Sequence, residues 1–130
     1  MARSKQSSPT GKELEILNVL WRIGAATVRQ VNEQISKQQK TGYTTTLKLM
    51  QIMTDKGLLV RDSSNFQHIY KPAISQEKTQ NKIVGDLLDK AFAGSAEKLV
   101  MRALSAKKVS AEELEKIKKM IDGMKKVKSE

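Results

Sequence analysis

Three adjacent threonines, Thr44, Thr45 and Thr46, begin a segment that otherwise has the apolar spacing of a helix. Threonine is a mediocre helix former because its branched β-carbon restricts χ1, and a single threonine would be enough to cap a helix start. Threonine hydroxyls can also donate to phosphate oxygens or base edges, and their methyl groups can contact thymine methyls. We therefore expect one threonine to cap the helix and the exposed ones to contact nucleic acid.

The rest of this segment continues the same pattern. Its inward stripe is predicted at i, i+3, i+4 and i+7, on Thr46, Leu49, Met50 and Met53. This register leaves Lys48 and Gln51 on the outer face with Thr44 and Thr45. Lysine can reach a guanine edge or a phosphate, and glutamine can pair with adenine. The free backbone N–H groups and the positive dipole end at the helix start also favour phosphate.

Further candidate contacts surround this helix in the sequence. Basic side chains on the preceding helix and turn could clamp the DNA backbone, and polar residues near a predicted hairpin tip could reach phosphate or the minor groove. These candidates are Arg29, Lys37, Lys40, Tyr43, Arg61, Asn65, Gln67 and Lys71. Each alone is an ordinary surface residue, and the set on one predicted face indicates DNA binding.

Catalytic and metal chemistry find little support in the sequence. The chain has no cysteine, which excludes a disulfide, a thiolate metal site and a cysteine nucleophile. Its single histidine, His68, has no obvious partner, and no glycine-rich phosphate loop or clustered ligand spacing occurs. We expect no enzymatic activity, no metal and no cofactor.

The charge and hydropathy of the 130 residues point to a polyanionic partner. Lys and Arg number 24 against 14 Asp and Glu, so the net charge is +10. Such basicity favours nucleic acid or an anionic membrane surface. No apolar run approaches the roughly 18 residues that span a bilayer, and the first residues lack a signal-peptide core. We therefore expect no membrane insertion and a cytoplasmic location.

The predicted elements of the N-terminal part are three helices and a hairpin. The first helix, "KELEILNVLWRIG", ends at Gly24, Thr27 caps the second, and Gly42 precedes the third. The segments "LLVRD" and "QHIYK", joined by "SSNF", alternate like two strands of a hairpin that ends at Pro72. This order predicts a winged helix-turn-helix over residues 10–72, preceded by a flexible basic arm at 1–9.

The C-terminal part is predicted to be helical over residues 73–124, with a basic tail at 125–130. Three short helices of about fifty residues make a marginal domain, so their apolar stripes must be buried elsewhere. A symmetric second copy is the simplest solution, and the alternative is a monomer whose helices fold back onto the N-terminal domain. The predicted dimer contacts are Leu87, Phe92, Leu99, Val100, Leu104, Leu114, Ile117 and Ile121.

The motifs also resemble those of the penicillinase-repressor family. "ELEILNVLWRIGAATVRQVNEQI" and "GYTTTLKLMQIMTDKGLLVRD" carry the resemblance, which extends through "FAGSAEKLVMRAL" and covers about residues 10–122. The resemblance implies a mainly α fold with a small β-hairpin, that is, a winged helix-turn-helix plus a C-terminal helical dimerisation domain. It also implies a homodimeric repressor on palindromic double-stranded DNA, and a recognition role for Tyr43, Thr44, Thr45 and Lys48.

The family also suggests how such a repressor is released. In its antibiotic-resistance branch, a membrane sensor-protease triggers cleavage within the dimerisation part at an Asn–Phe bond, where this chain has Arg102–Ala103. The copper-responsive branch uses cysteine pairs, which this chain lacks. Release by a ligand or a partner is the alternative. A different class of function, a winged helix that binds RNA or protein, also stays open.

Overall fold

The computed structural model describes residues 8–64 and 66–128. In these residues the elements are α1 (Gly11–Ile23), α2 (Val28–Ser36), α3 (Tyr43–Asp55), β1 (Leu59–Asp62), β2 (Ile69–Pro72), α4 (Gln76–Ala91), α5 (Ala96–Ala106) and α6 (Ala111–Lys128). Three helices, an antiparallel hairpin and three further helices follow in the predicted order, which confirms the mainly α fold class with a small hairpin.

Local capping explains where the first two helices begin and end. The Thr10 side chain accepts from the Glu13 backbone N–H while the Glu13 carboxylate accepts from the Thr10 N–H, which forms a capping box at α1. Thr27 and Gln30 repeat this arrangement at α2. Gly24 closes α1 with a φ of 87°, a conformation that glycine adopts without strain.

The hairpin is attached to the helices through its second strand. β1 and β2 pair with Leu59 opposite Pro72 and Arg61 opposite Tyr70. Ala26, between α1 and α2, exchanges two backbone hydrogen bonds with Tyr70, at 2.8 and 2.9 Å. The base of the hairpin is therefore a fixed part of the helical domain.

The core lies among α1, α2, α3 and the base of the hairpin. Its buried side chains are mainly aliphatic and comprise Ile16, Leu17, Val19, Leu20, Ala26, Val28, Val31, Met50, Met53, Leu59 and Tyr70. Ile23, the last residue of α1, is exposed.

The chain divides into two compact units, residues 1–84 and residues 85–130. The first unit includes the beginning of α4: the Trp21 indole N–H donates to the Ile74 carbonyl oxygen at 3.1 Å, and Thr79 is buried. The predicted functional domains instead meet after residue 72, and that division stays a prediction. The predicted arm at 1–9 lies mostly outside the described residues, and 125–128 of the predicted tail are helical.

Candidate nucleic-acid interface

The start of α3 differs from the prediction. Gly42 occupies the N-cap position, and no side chain caps the helix, so the expectation that a threonine caps it is wrong. The threonines lie two to four positions after the N-cap, because Tyr43 already has helical geometry. The first turn contains no acidic residue. A helix start with free N–H groups and no nearby carboxylate is suited to a phosphate group.

Thr46 has a structural role, as its inward register predicted. It is buried, and its Oγ1 accepts a 2.9 Å hydrogen bond from the Asn32 side-chain amide. The same amide group donates to the Thr41 carbonyl oxygen, also at 2.9 Å. Asn32 therefore fixes the start of α3 against α2 and against the turn between them.

The outer face of α3 carries the predicted recognition residues. Thr44, Thr45, Lys48 and Gln51 are all exposed, while Met50 and Met53 are fully buried on the opposite side. The spacing of the apolar stripe thus predicted the burial pattern of α3, with Leu49 half-buried at its edge.

The far end of α3 is tied to α1 by an ion pair. Lys56, the C-cap residue of α3, contacts the buried Glu13 carboxylate at 2.7 Å. Burial raises the pKa of Glu13, but hydrogen bonds from Lys56 and the Thr10 backbone N–H lower it by more, so the pKa lies below its ordinary value. Glu13 therefore stays ionised and fixes α3 at the end opposite to Asn32.

An open cleft of about 250 Å³ separates the beginnings of α2 and α3 from the hairpin. The Arg29 guanidinium lies over the Tyr43 ring, with its central carbon 5.8 Å from the ring centroid. The cleft brings together three of the predicted contacts, and its lining comprises Thr27, Val28, Arg29, Tyr43, Leu47, Phe66, Gln67, His68 and Tyr70. Phe66 and His68 were not among the predicted contacts. Phe66 could have been found from the sequence, because it is an apolar residue in the otherwise polar turn "SSNF".

Other predicted contacts are not part of this lining. Lys40 is exposed in the turn before α3. Arg61 pairs with Tyr70 and Lys71 with Val60, so Arg61 and Lys71 lie on opposite faces of the hairpin. The expected single face therefore cannot contain both. Asn65 lies outside the described residues.

The second unit contains the predicted dimer contacts. In residues 85–128 no side chain is buried. Leu87, Val100, Leu114 and Ile121 are exposed, and Phe92, Leu99, Leu104 and Ile117 are half-buried. An apolar groove of about 740 Å³ runs along α5 and α6, lined by Val100, Ile117, Met120, Ile121, Met124, Lys125 and Lys128. The two methionines were missed, although they continue the stripe of α6 at helical spacing.

The candidate cleavage residues, Arg102 and Ala103, are exposed within α5. Because a protease binds its substrate in an extended form, cleavage at this bond would require α5 to unwind locally.

Among the described residues, no group of His, Cys, Asp or Glu could hold a metal ion. Within the same residues, no helix is long and apolar enough to span a bilayer.

Comparison with known families identifies the chain. Residues 9–123 match the family described as penicillinase repressor. The chain belongs to the penicillinase repressor family. Membership confirms the resemblance over nearly the whole chain and implies a DNA-binding transcriptional repressor, in a family of regulators rather than enzymes. No curated protein matches this penicillinase repressor family member.

Proposed function

We propose that the protein is a homodimeric, sequence-specific repressor that binds a palindromic operator through α3 and the hairpin. The observation that supports this most directly is the outer face of α3, where Thr44, Thr45, Lys48 and Gln51 are exposed beside a helix start that has no side-chain cap. An α-helix of about 10–12 Å diameter fits the major groove of B-DNA. The core, Asn32 and Glu13 hold α3 in place for this task.

The proposed contacts divide into base readout and backbone positioning. Thr44, Thr45, Lys48 and Gln51 face the bases or the nearest phosphates. Arg29, Lys40 and Tyr43 contact the sugar–phosphate backbone next to α3. The wing residues Arg61, Asn65 and Gln67 contact the backbone or the adjacent minor groove.

The proposed dimer is formed by the second unit. A segment of this size with no fully buried side chain among its described residues leaves much of its apolar surface in water, and burial of such surface drives association. The partner copy would cover the α5–α6 groove together with Leu87, Phe92 and Leu104. Two linked DNA-binding units bind far better than one, and they place their α3 helices about 34–36 Å apart, or a multiple of that distance.

Release from DNA follows in this proposal from weakening of the dimer. Proteolysis near Arg102 and Ala103, triggered by a membrane sensor-protease, would remove α6 from the chain. A ligand or partner that competes for the same apolar surface would have the same effect, because each half-site is then bound by one unit alone.

Selection of bound duplexes from a random DNA pool tests the proposal. We expect a motif with two-fold symmetry, a footprint on both half-sites and a steep fall in affinity with salt. Thr45→Ala should weaken binding to the selected duplex by up to about tenfold, because one hydrogen bond contributes about 0.5–1.5 kcal/mol. Lys48→Ala should either relax the preference for one base or reduce the salt dependence by about one phosphate contact.

Lys12→Ala is the matched control, since it removes the same charge from an exposed position on α1. It should change affinity little. An asymmetric motif, equal effects of Lys12→Ala and Lys48→Ala, or tighter binding to structured RNA than to duplex DNA would contradict the proposal.

A further inference from the structure

Phe66, near the tip of the hairpin, is fully exposed, with a relative accessibility of 102%. The chain has five aromatic residues. Tyr70 is buried and Trp21 and Phe92 are half-buried, so only Tyr43 and Phe66 are exposed. A benzyl group left wholly in water forgoes the free energy of burial, and nothing in the described part of the chain covers it. The position of Phe66 indicates which binding partner could cover its side chain.

Phe66 lines the same cleft as Arg29 and Tyr43. It therefore stands across this cleft from the first turn of α3. If α3 lies in the major groove, the sugar–phosphate strand that borders this groove would pass the cleft on the side of the Arg29 guanidinium. A side chain on the far side of that strand would reach the adjacent minor groove.

Local hydrogen bonds hold the described residues that follow β1 in the hairpin. The Asp62 carboxylate accepts from the Ser64 backbone N–H at 2.9 Å and from the Ser64 hydroxyl at 2.6 Å. At the other side, Tyr70 is anchored to Ala26. A short hairpin that is fixed at its base and just after β1 can present an apolar side chain beside α3.

We propose that Phe66 is a minor-groove wedge that inserts between two base pairs beside each half-site and bends the operator. Apolar side chains used in this way unstack a base step partly and kink the duplex towards the major groove. The proposal rests on the proposed function, because it assumes that α3 occupies the neighbouring major groove.

The wedge adds a specificity that hydrogen bonds do not supply. Pyrimidine–purine steps such as TA and CA/TG unstack most easily. We therefore expect one such step at a fixed distance outside each α3 contact, at a position where no donor or acceptor of the protein reads the base. Both half-sites should carry it, since the dimer is symmetric.

The test compares Phe66→Ala with Phe66→Leu on the best duplex from the selection. The alanine variant has no wedge, whereas leucine retains an apolar one. We expect Phe66→Ala to bind at least about fivefold more weakly and to lose most of the DNA bend, measured by energy transfer between dyes at the duplex ends. Phe66→Leu should keep most of the affinity and bend. Both variants should melt at the original temperature, because Phe66 is fully exposed.

A fluorescent adenine analogue placed at the flexible step gives a second readout. Its emission should rise when the original chain binds, because unstacking relieves quenching, and should rise much less with Phe66→Ala. If Phe66→Ala binds, bends and unstacks this duplex like the original chain, the wedge is wrong. A loss of dimerisation in Phe66→Ala would equally overturn it, since Phe66 would then be a protein contact.

Failure of the wedge and failure of the proposed function give different results. A symmetric footprint that is sensitive to Thr45→Ala but indifferent to Phe66→Ala overturns the wedge alone. If the original chain gives no symmetric footprint, the proposed function fails. In that case the wedge is tested on a mixed-sequence duplex that carries the adenine analogue at a TA step. If the emission of the analogue does not change when the protein is added, the wedge is also wrong.

Discussion

The three consecutive threonines of α3 lie in different environments. Thr46 is buried and accepts a hydrogen bond from Asn32, whereas Thr44 and Thr45 are exposed. Helical spacing was enough to predict this difference. The partner of Thr46 could not be predicted, because Asn32 is separated from it by 14 positions in the sequence and only the packing of α2 on α3 brings them together. The cap was predicted wrongly because helical geometry already begins at Tyr43, after Gly42.

A pair of valine substitutions tests this difference at the residue scale. Thr46→Val keeps the shape of the side chain but leaves the Asn32 amide without this acceptor, so we expect a loss of about 1 kcal/mol in the free energy of unfolding. Thr45→Val, at an exposed position, should change that free energy by less than about 0.5 kcal/mol and yet weaken binding to the selected duplex. Urea unfolding and a DNA titration measure the two effects. Equal unfolding free energies for the two variants would contradict the assignment.

The elements of the first unit are specified locally but oriented by distant contacts. Capping residues, glycines and apolar periods predicted α1, α2, α3 and the hairpin within one or two residues. The ion pair between Glu13 and Lys56 joins residues 43 positions apart, and the sequence around either residue does not indicate its partner. The sequence could therefore predict the order of the elements, whereas their angles depend on contacts that only the folded chain contains.

The pH dependence of stability tests the tie between α1 and α3. The pKa of Glu13 is lowered in the folded state, so its stabilising effect is complete above the ordinary glutamate pKa of about 4.3 and is lost as the pH falls through the lower, folded value. Glu13→Gln should reduce the free energy of unfolding at pH 7 by about 1–2 kcal/mol. It should also lose less stability than the original chain as the pH falls below about 4.3.

Glu15→Gln is the control for this experiment. Glu15 is exposed on the same helix, 4.0 Å from the exposed Lys12, and exposed pairs contribute little. Urea unfolding at a series of pH values should separate the two variants. Parallel pH curves for Glu13→Gln and the original chain would show that Glu13 does not link the two helices.

At the scale of the whole molecule, the two units differ in how they bury apolar surface. The first has a core that includes Leu17, Val31 and Met50, each fully buried, and the described residues of the second have none. The amphipathic stripes of α4, α5 and α6 predicted that such surface exists. They could not specify what covers it, because an apolar stripe packs equally well against another part of the chain or a second copy.

Ile117→Asn tests whether a second copy covers the groove of α5 and α6. Each dimer would lose two apolar side chains from its interface, so we expect the dimer dissociation constant to rise by at least about tenfold and binding to the palindrome to fall with it. Glu115→Gln changes the same helix about 200° away and should leave both constants unchanged. Sedimentation equilibrium and DNA titration measure them. An original chain that sediments as a monomer at micromolar concentration would rule out this interface.

The division between the units inside α4 also decides where the protein can be joined to a relative. A chimera that changes parent after residue 72 would take Trp21 from one parent and the segment with the Ile74 carbonyl oxygen and the buried Thr79 from the other. A junction at Gly85 keeps all three residues within one parent. It also lies where a Cβ atom would meet no neighbour within 4 Å, so a different residue fits. To exchange operator preference between two repressors, the parents are therefore best joined in the middle of α4.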